Sequence, residues 1–363
     1  MGNQGFPHAL AVIRWPPWRR TCSLAVALIA LAALAMLGAP ADAQRGPAKH
    51  QARSERCTSC VRVWKIKYRA HNGARRVAYV SLPRRYGPRY HPRIPLVISP
   101  HGRGVTARVN LRMWGNLPAL GSFAVVNPQG QGRRLKLFSW GWRGQIADLA
   151  RMPSIVSHAL PWLRVDRRGV FAMGTSMGGQ ETLLLLARYP RLLAGAAAFD
   201  SVTDMRQRYG AFKRLRCNAR CRRAWVHPIG HGIQKLARYE IGGTPWQRPL
   251  AYKLRSPITY ARRIAHSGVP LELWWSRSDR VVSNQNYQSG QLLRRILSFN
   301  RRAAVEGFVG LWWHSSEMHS LLVPALVDLG LLSPRYQESL TGVTRIASGW
   351  WPSPPVSSRE PGP

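Results

Sequence analysis

Residues 170–179 read VFAMGTSMGG, and the rest of the chain is best understood from this stretch outward. Val170 to Met173 is an apolar run rich in β-formers. Gly174, Thr175, Ser176, Met177, Gly178 and Gly179 follow, and GQETLLLLARYP then carries a helical pattern to Pro190. Strand, sharp turn and helix is the context in which Gly-x-Ser-x-Gly presents a nucleophilic serine. The cause is steric. The serine must sit on a strained turn that exposes its Oγ, and glycines on either side let strand and helix approach closely. Ser176 is therefore the candidate nucleophile, and the helix behind it would aim free N–H groups and its positive dipole end at a developing oxyanion. The competing reading is an ordinary strand-to-helix turn that contains a serine.

On the amino-terminal side, Val61 to Tyr68 alternates apolar and basic residues as a half-exposed strand does, and Val77 to Leu82 is a second such run. These two read as an antiparallel edge pair. Ile94 to Ser99 and Phe123 to Asn127 are continuous apolar runs, the mark of strands covered on both faces. Gln145 to Leu163 is helical on one face, with Pro153 interrupting it. On the carboxyl side, Leu193 to Phe199, Val269 to Trp275 and Ala303 to Trp312 read as further strands, with helices at Gln285 to Phe299 and Met318 to Leu332. Residues 201–268 hold little strand pattern and many Arg, Gly and Pro, and are expected to be an insertion capping the site. The stretch 341–363, rich in Ser, Gly and Pro, is expected to be a disordered tail. Strands alternating with helices predict a mostly parallel, doubly wound α/β sheet, with chemistry at the carboxyl ends of its strands.

A serine nucleophile needs a base, and the base needs an acid, in the chain order Ser, Asp or Glu, His on this type of sheet. The chain has only 15 acidic residues. Asp279 follows the strand ending at Trp275 and is the candidate acid; Asp200, just past the preceding strand, is its rival. Two histidines lie downstream of Asp279. His314 comes directly after the last strand and is the candidate base, with His319, at the start of the final helix, as the alternative. The oxyanion donors are expected at Met177, after the nucleophile, and at Gly102 or Arg103 in His101-Gly102-Arg103-Gly104, which matches the HGGG type of loop except for its arginine.

Together, His101 to Gly104, Gly174 to Gly178, Asp279 and His314 resemble the α/β-hydrolase superfamily, most nearly its secreted esterases and prolyl-oligopeptidase-like serine hydrolases. The resemblance spans roughly Val61 to Leu332, within a domain placed at 61–340. It implies an acyl-enzyme mechanism without metal or organic cofactor: Ser176 attacks, His314 moves the proton, Asp279 orients His314, and water releases the acyl group. The implied function is carboxylic ester hydrolysis, with a peptidase as the alternative. No propeller-like repeat precedes the domain, which argues against strict oligopeptidase specificity. Trp140, Trp142, Trp274, Trp275, Trp312 and Trp313 fall near strand ends, where they would either line a substrate groove or pack the core.

Residues 1–43 read as a secretory signal. Arg14, Arg19 and Arg20 form a basic segment, Leu24 to Leu37 is apolar, and Ala41-Asp42-Ala43 supplies a small-x-small cleavage site, giving a mature chain from about Gln44. The alternative is an uncleaved membrane anchor. Residues 44–60 read as a loose segment. Export leaves Cys57, Cys60, Cys217 and Cys221, which predict two disulfides of undetermined pairing. A zinc site at Cys217, Cys221, His227 and His231 is the alternative, disfavoured by its short Cys-to-His gap. The formal charge is +39 on 363 residues. Such an excess suits an anionic envelope polymer or nucleic acid, so a non-catalytic cationic binding protein is the rival of a different class. Nearly all of the charge is scattered arginine, which points away from specific nucleic-acid recognition and fits a compositional bias equally well.

Overall fold

The computed structural model describes residues 60–215, 229–313, 318–337 and 341–347. Within them nine strands form one sheet: β1 (Val61–Arg69), β2 (Arg75–Pro83), β3 (Ile94–Ile98), β4 (Ala124–Pro128), β5 (Val165–Thr175), β6 (Gly195–Phe199), β7 (Leu271–Ser276), β8 (Val305–Gly310) and β9 (Thr344–Ala347). Their spatial order is β1-β2-β4-β3-β5-β6-β7-β8-β9. β3 to β8 run parallel. β1 pairs with β2, β2 with β4, and β8 with β9, all antiparallel. The sheet is the doubly wound one that the apolar runs predict.

The helices are α1 (Ala107–Leu111), α2 (Leu117–Gly121), α3 (Arg143–Ala150), α4 (Met152–Ala159), α5 (Met177–Arg188), α6 (Met205–Phe212), α7 (His231–Ile241), α8 (Pro249–Lys253), α9 (Ala261–Ala265), α10 (Ser289–Phe299) and α11 (Met318–Asp328). Because side chains alternate across a strand, each central strand feeds two cores. Leu96, Ile98, Ala172 and Leu273 join residues of α3, α4, α5, α9 and α10 on one face. Val97, Phe171, Met173 and Trp274 meet α11 on the other. Continuous apolar runs are what a strand covered on both faces requires. Pro153 acts where expected: it sits in the first turn of α4, where its missing N–H costs nothing, so the helical stretch becomes two helices.

Two boundaries differ from the sequence reading. The described part of the insertion, α6 to α8, packs Tyr209, Phe212, Ile233 and Tyr252 into an apolar cluster that also takes in Trp140 and Val282 from outside it. Its last expected segment does not belong there, because Ala261, Ile264 and Ala265 of α9 join the core under the sheet. The expected disordered tail from 341 also supplies β9. Arg345 on that strand reaches the buried Glu306, with Nη2 2.6 Å from Oε2, and stacks its guanidinium over Phe308. Four residues of strand in a Ser/Gly/Pro-rich segment are held by that pairing.

Cys60, immediately before β1, is in a disulfide. Cys57, Cys217, Cys221 and His227 lie outside the described residues, as do the expected signal segment and its cleavage site. Among the described residues no cluster of three or more His, Cys, Asp or Glu side chains could hold a metal, and no helix is long and apolar enough to cross a membrane.

Candidate active site

β5 delivers Ser176 to the turn with φ 57° and ψ −118°, a conformation that costs a non-glycine residue about 1–3 kcal/mol. The turn is held on both sides. The Ser176 N–H donates to the Phe199 carbonyl at 2.8 Å, and its own carbonyl accepts the Gln180 N–H at 3.0 Å. Three glycines make the turn possible. A Cβ on Gly174 would stand 2.6 Å from the Gly178 carbonyl; one on Gly178 would strike the Pro100 carbonyl oxygen, and one on Gly179 would strike Ser201 Oγ. From Val170 to Ala187 every residue is buried except Ser176, which is half-exposed. α5 begins directly behind it at Met177, so the N–H groups of its first turn lack intrahelical acceptors and face the serine.

The Pro100 carbonyl lies over Gly178, so the loop after β3 rests on the turn that carries Ser176. His101 fixes that loop. Its Nδ1 bonds the Gly102 carbonyl at 2.8 Å, and its Nε2 accepts the Gly130 N–H from the loop after β4 at 2.8 Å. The accepting Nε2 puts the ring proton on Nδ1, and complete burial pushes the His101 pKa down to about 4. This histidine is a neutral strut. Gly104, at φ 72°, turns the chain and donates its N–H to the Leu137 carbonyl at 3.0 Å. Gly102 is buried, yet a Cβ there would meet nothing nearer than 3.9 Å. Arg103 is half-buried, and desolvation, with Arg208 nearby, lowers its pKa to about 9.

Both candidate acids sit at carboxyl ends of parallel strands, but their surroundings differ. Asp279 is 5% exposed. Its Oδ1 accepts the N–H groups of Val281 and Val282 at 2.7 and 2.9 Å, and its Oδ2 receives Gln285 Nε2 at 3.3 Å. Asp200, at φ 44°, uses Oδ1 for the Ser276 N–H and Oδ2 for the Trp312 indole N–H, both at 2.8 Å. It therefore joins the end of β6 to the end of β7 and to the segment two residues ahead of position 314. His314 lies outside the described residues. His319 is in α11, but its side chain is likewise outside them.

Several buried polar groups around the site gave no signal in the sequence. Glu240 on α7 accepts the backbone N–H groups of Arg133, Arg134 and Leu135, the last two at 2.7 and 2.9 Å. Arg255 lies 3.6 Å from the same carboxylate and donates Nη1 to the Ser139 carbonyl at 2.6 Å. Glu181, on the buried flank of α5, takes bonds from Ser139 Oγ and, at 3.4 Å, from Gln145 Nε2. Complete burial raises its pKa to about 8. Of the six tryptophans near strand ends, Trp140, Trp274, Trp275 and Trp312 are buried. Trp274 stacks on Phe308 with ring centroids 3.9 Å apart. Those four pack the interior; Trp142 is half-buried and Trp313 exposed.

No protein-family model matches the sequence, and no curated protein matches it. Solved structures do share its architecture. An acylaminoacyl peptidase from Pyrococcus horikoshii superposes with a TM-score of 0.55 at 14% identity, covering 82% of this chain and 45% of that one. This chain thus spans about half the length of that peptidase. A fungal esterase structure from Rhizomucor miehei gives a TM-score of 0.57 at 12% identity over 80% of this chain and 89% of that one. An esterase from Pyrobaculum calidifontis gives 0.51 at 15% identity over 74% and 83%. With the parallel sheet, the strained serine turn at the end of β5 and the helix behind it, these likenesses establish that the chain has the α/β-hydrolase fold.

Proposed function

We propose that this chain is an exported serine hydrolase that cleaves carboxylic esters through an acyl-enzyme. The observation that carries the reading is Ser176 itself: the one incompletely buried residue from Val170 to Ala187, held at φ 57° at the head of α5. Ser176 Oγ attacks the ester carbonyl carbon while His314 takes its proton. The resulting oxyanion is held by the Met177 N–H and by an N–H at Gly102 or Arg103. Collapse expels the alcohol, which leaves with the proton from His314, and water repeats the sequence to release the acid. Asp279 orients His314. Its Oδ1 already holds two backbone donors, which fixes the carboxylate plane. Asp200 joins the ends of β6 and β7 and Trp312 through both of its oxygens at 2.8 Å, which suits a structural role, whereas the bond from Gln285 to Asp279 Oδ2 is longer, at 3.3 Å.

The experiment is labelling with a fluorophosphonate, followed by short-chain p-nitrophenyl esters and a peptide panel. Labelling of the folded protein that disappears in Ser176→Ala, with ester turnover above peptide turnover, supports the reading; peptide turnover above ester turnover moves it to a peptidase. Folded protein that takes no label overturns it. Single alanine variants of His314 and His319 assign the base. Amino-terminal sequencing of exported protein tests the cleavage expected before Gln44.

A separate observation supports an added electrostatic attachment to an anionic polymer. A groove of about 580 Å³ beside β1 is lined by Lys67, Arg69, Arg75, Arg151 and His158, with no acidic side chain in its lining. Lys67 and Arg69 lie on the exposed face of the sheet edge, where their charge is solvated and available. Retention on an anionic matrix that weakens with salt, and weakens further in Lys67→Glu with Arg75→Glu at unchanged ester turnover, supports the attachment; equal retention of the variant removes this groove from it.

A further inference from the structure

Arg208 is a fully internal cation on α6, a helix that belongs to the insertion. Asp204 starts that helix by accepting the N–H groups of Arg206 and Gln207 at 2.9 and 3.0 Å, which places position 208 one turn in, facing the loop after β7. The side chain is 3% exposed. Its guanidinium lies over the Phe212 ring, 4.7 Å from the centroid, and Nη2 donates to the Val281 carbonyl. Nη1 is buried and has no hydrogen-bond partner among the described residues.

Val281 is the joint between two groups. Its carbonyl is held by Arg208, and its N–H holds Asp279 Oδ1 at 2.7 Å. Asp279 is also the carboxylate whose negative charge favours the charged form of Arg208 against desolvation. A buried cation costs stability unless something compensates it, and one anchored by a single carbonyl is an expensive way to pack a helix. Its position gives it a use. Removing it frees the peptide that fixes the carboxylate, and the carboxylate is the group that must hold one orientation while an imidazole gains and loses a proton.

We propose that Arg208 is a positioning residue that ties the insertion to Asp279 and holds that carboxylate in register with the base. The proposal rests on the reading of Asp279 as the acid. It makes docking of α6 a condition for turnover, although no atom of the insertion needs to touch the reacting carbonyl.

The test is steady-state hydrolysis of a p-nitrophenyl ester by the full mature chain with Arg208→Gln, Arg208→Lys and Asp279→Asn, each checked for native circular dichroism. Arg208→Gln is expected to lower kcat about 10- to 100-fold, as loss of an outer partner does at other sites, with KM within about threefold. Arg208→Lys, which restores the charge but not the fork, is expected between Gln and wild type. A merely structural arginine would instead lower the amount of folded protein and leave kcat per labelled Ser176 intact. Unchanged kcat in Arg208→Gln, or a loss confined to KM, overturns the proposal. If Arg208→Gln does not fold, wild-type kcat in a folded Arg208→Lys overturns it as well. Wild-type activity in Asp279→Asn removes the acid reading and this proposal together, whereas an inactive Asp279→Asn beside a fully active Arg208→Gln removes this proposal alone.

Discussion

His101 Nε2 accepts the Gly130 N–H at 2.8 Å, so one imidazole joins the loop after β3 to the loop after β4. The bond is buried, and a partner lost there leaves an N–H that water cannot reach. His101→Phe should therefore cost about 1–3 kcal/mol in denaturant unfolding. The pH dependence has a definite sign. Burial lowers the folded-state pKa to about 4, so the contribution is complete above the ordinary histidine value and is lost as pH falls from about 6.5 towards 4. Wild type should lose stability across that window, and His101→Phe should lose less.

Gly102 and Gly178 separate folding from chemistry. A Cβ at Gly178 would strike the Pro100 carbonyl, which is backbone and cannot step aside, whereas one at Gly102 would meet nothing nearer than 3.9 Å. Gly178→Ala should lower Tm by at least several degrees or prevent folding, by the overpacking cost of about 1–3 kcal/mol or more. Gly102→Ala should keep its Tm within about two degrees and, on the proposal that this loop carries an oxyanion donor, lower ester turnover, because the added methyl group would lie 3.9 Å from the Thr175 carbonyl oxygen, next to Ser176. Thermal melts and turnover on the two variants check both halves.

The fold was legible because a strand covered on both faces carries an apolar run, and Ile94 to Ile98, Val170 to Met173 and Gly195 to Phe199 are such runs. The Ser176 turn was legible because its steric demands name their own residues: Gly174, Gly178 and Gly179 are where an added Cβ would clash. Position favoured Asp279 over Asp200 as the candidate acid without excluding the latter, since each follows a parallel strand. The difference lies in which loop N–H groups turn towards each carboxylate, and that depends on backbone beyond local sequence. Glu240, Glu181 and Arg208 were silent for a related reason, as each is defined by partners dozens of residues away. β9 was missed because four residues carry too little alternation to stand out in a Ser/Gly/Pro-rich segment, and its anchor, Glu306, is a long-range partner.

Glu181 should give the opposite pH signature to His101. Its carboxyl is held up to about 8 by burial, above the unfolded value of about 4.5, so the folded state keeps the proton longer. Its contribution is complete below about pH 4.5 and is lost as pH rises through about 8, at about 1.4 kcal/mol per unit. Glu181→Gln should flatten the fall in stability between pH 5 and 8. Parallel wild-type and variant curves of unfolding free energy against pH would contradict this.

Arg345 tests the last strand. It is half-exposed and its partner Glu306 is 2% exposed, so solvent weakens the pair from one side only. Arg345→Ala should cost about 1 kcal/mol, and more as rising pH ionises Glu306, whose pKa burial raises and whose counter-charge the variant lacks. Urea unfolding across a pH series distinguishes this from loss of strand pairing alone, which would be independent of pH.

The Glu240 carboxylate, bound to three successive backbone N–H groups in the loop after β4 and backed by Arg255, bears on how the insertion can move. A helix fastened to that loop by three bonds to one carboxylate cannot swing clear without breaking all of them together. α7 is therefore anchored to the loop after β4, and an insertion that opened for substrate would have to hinge at another point.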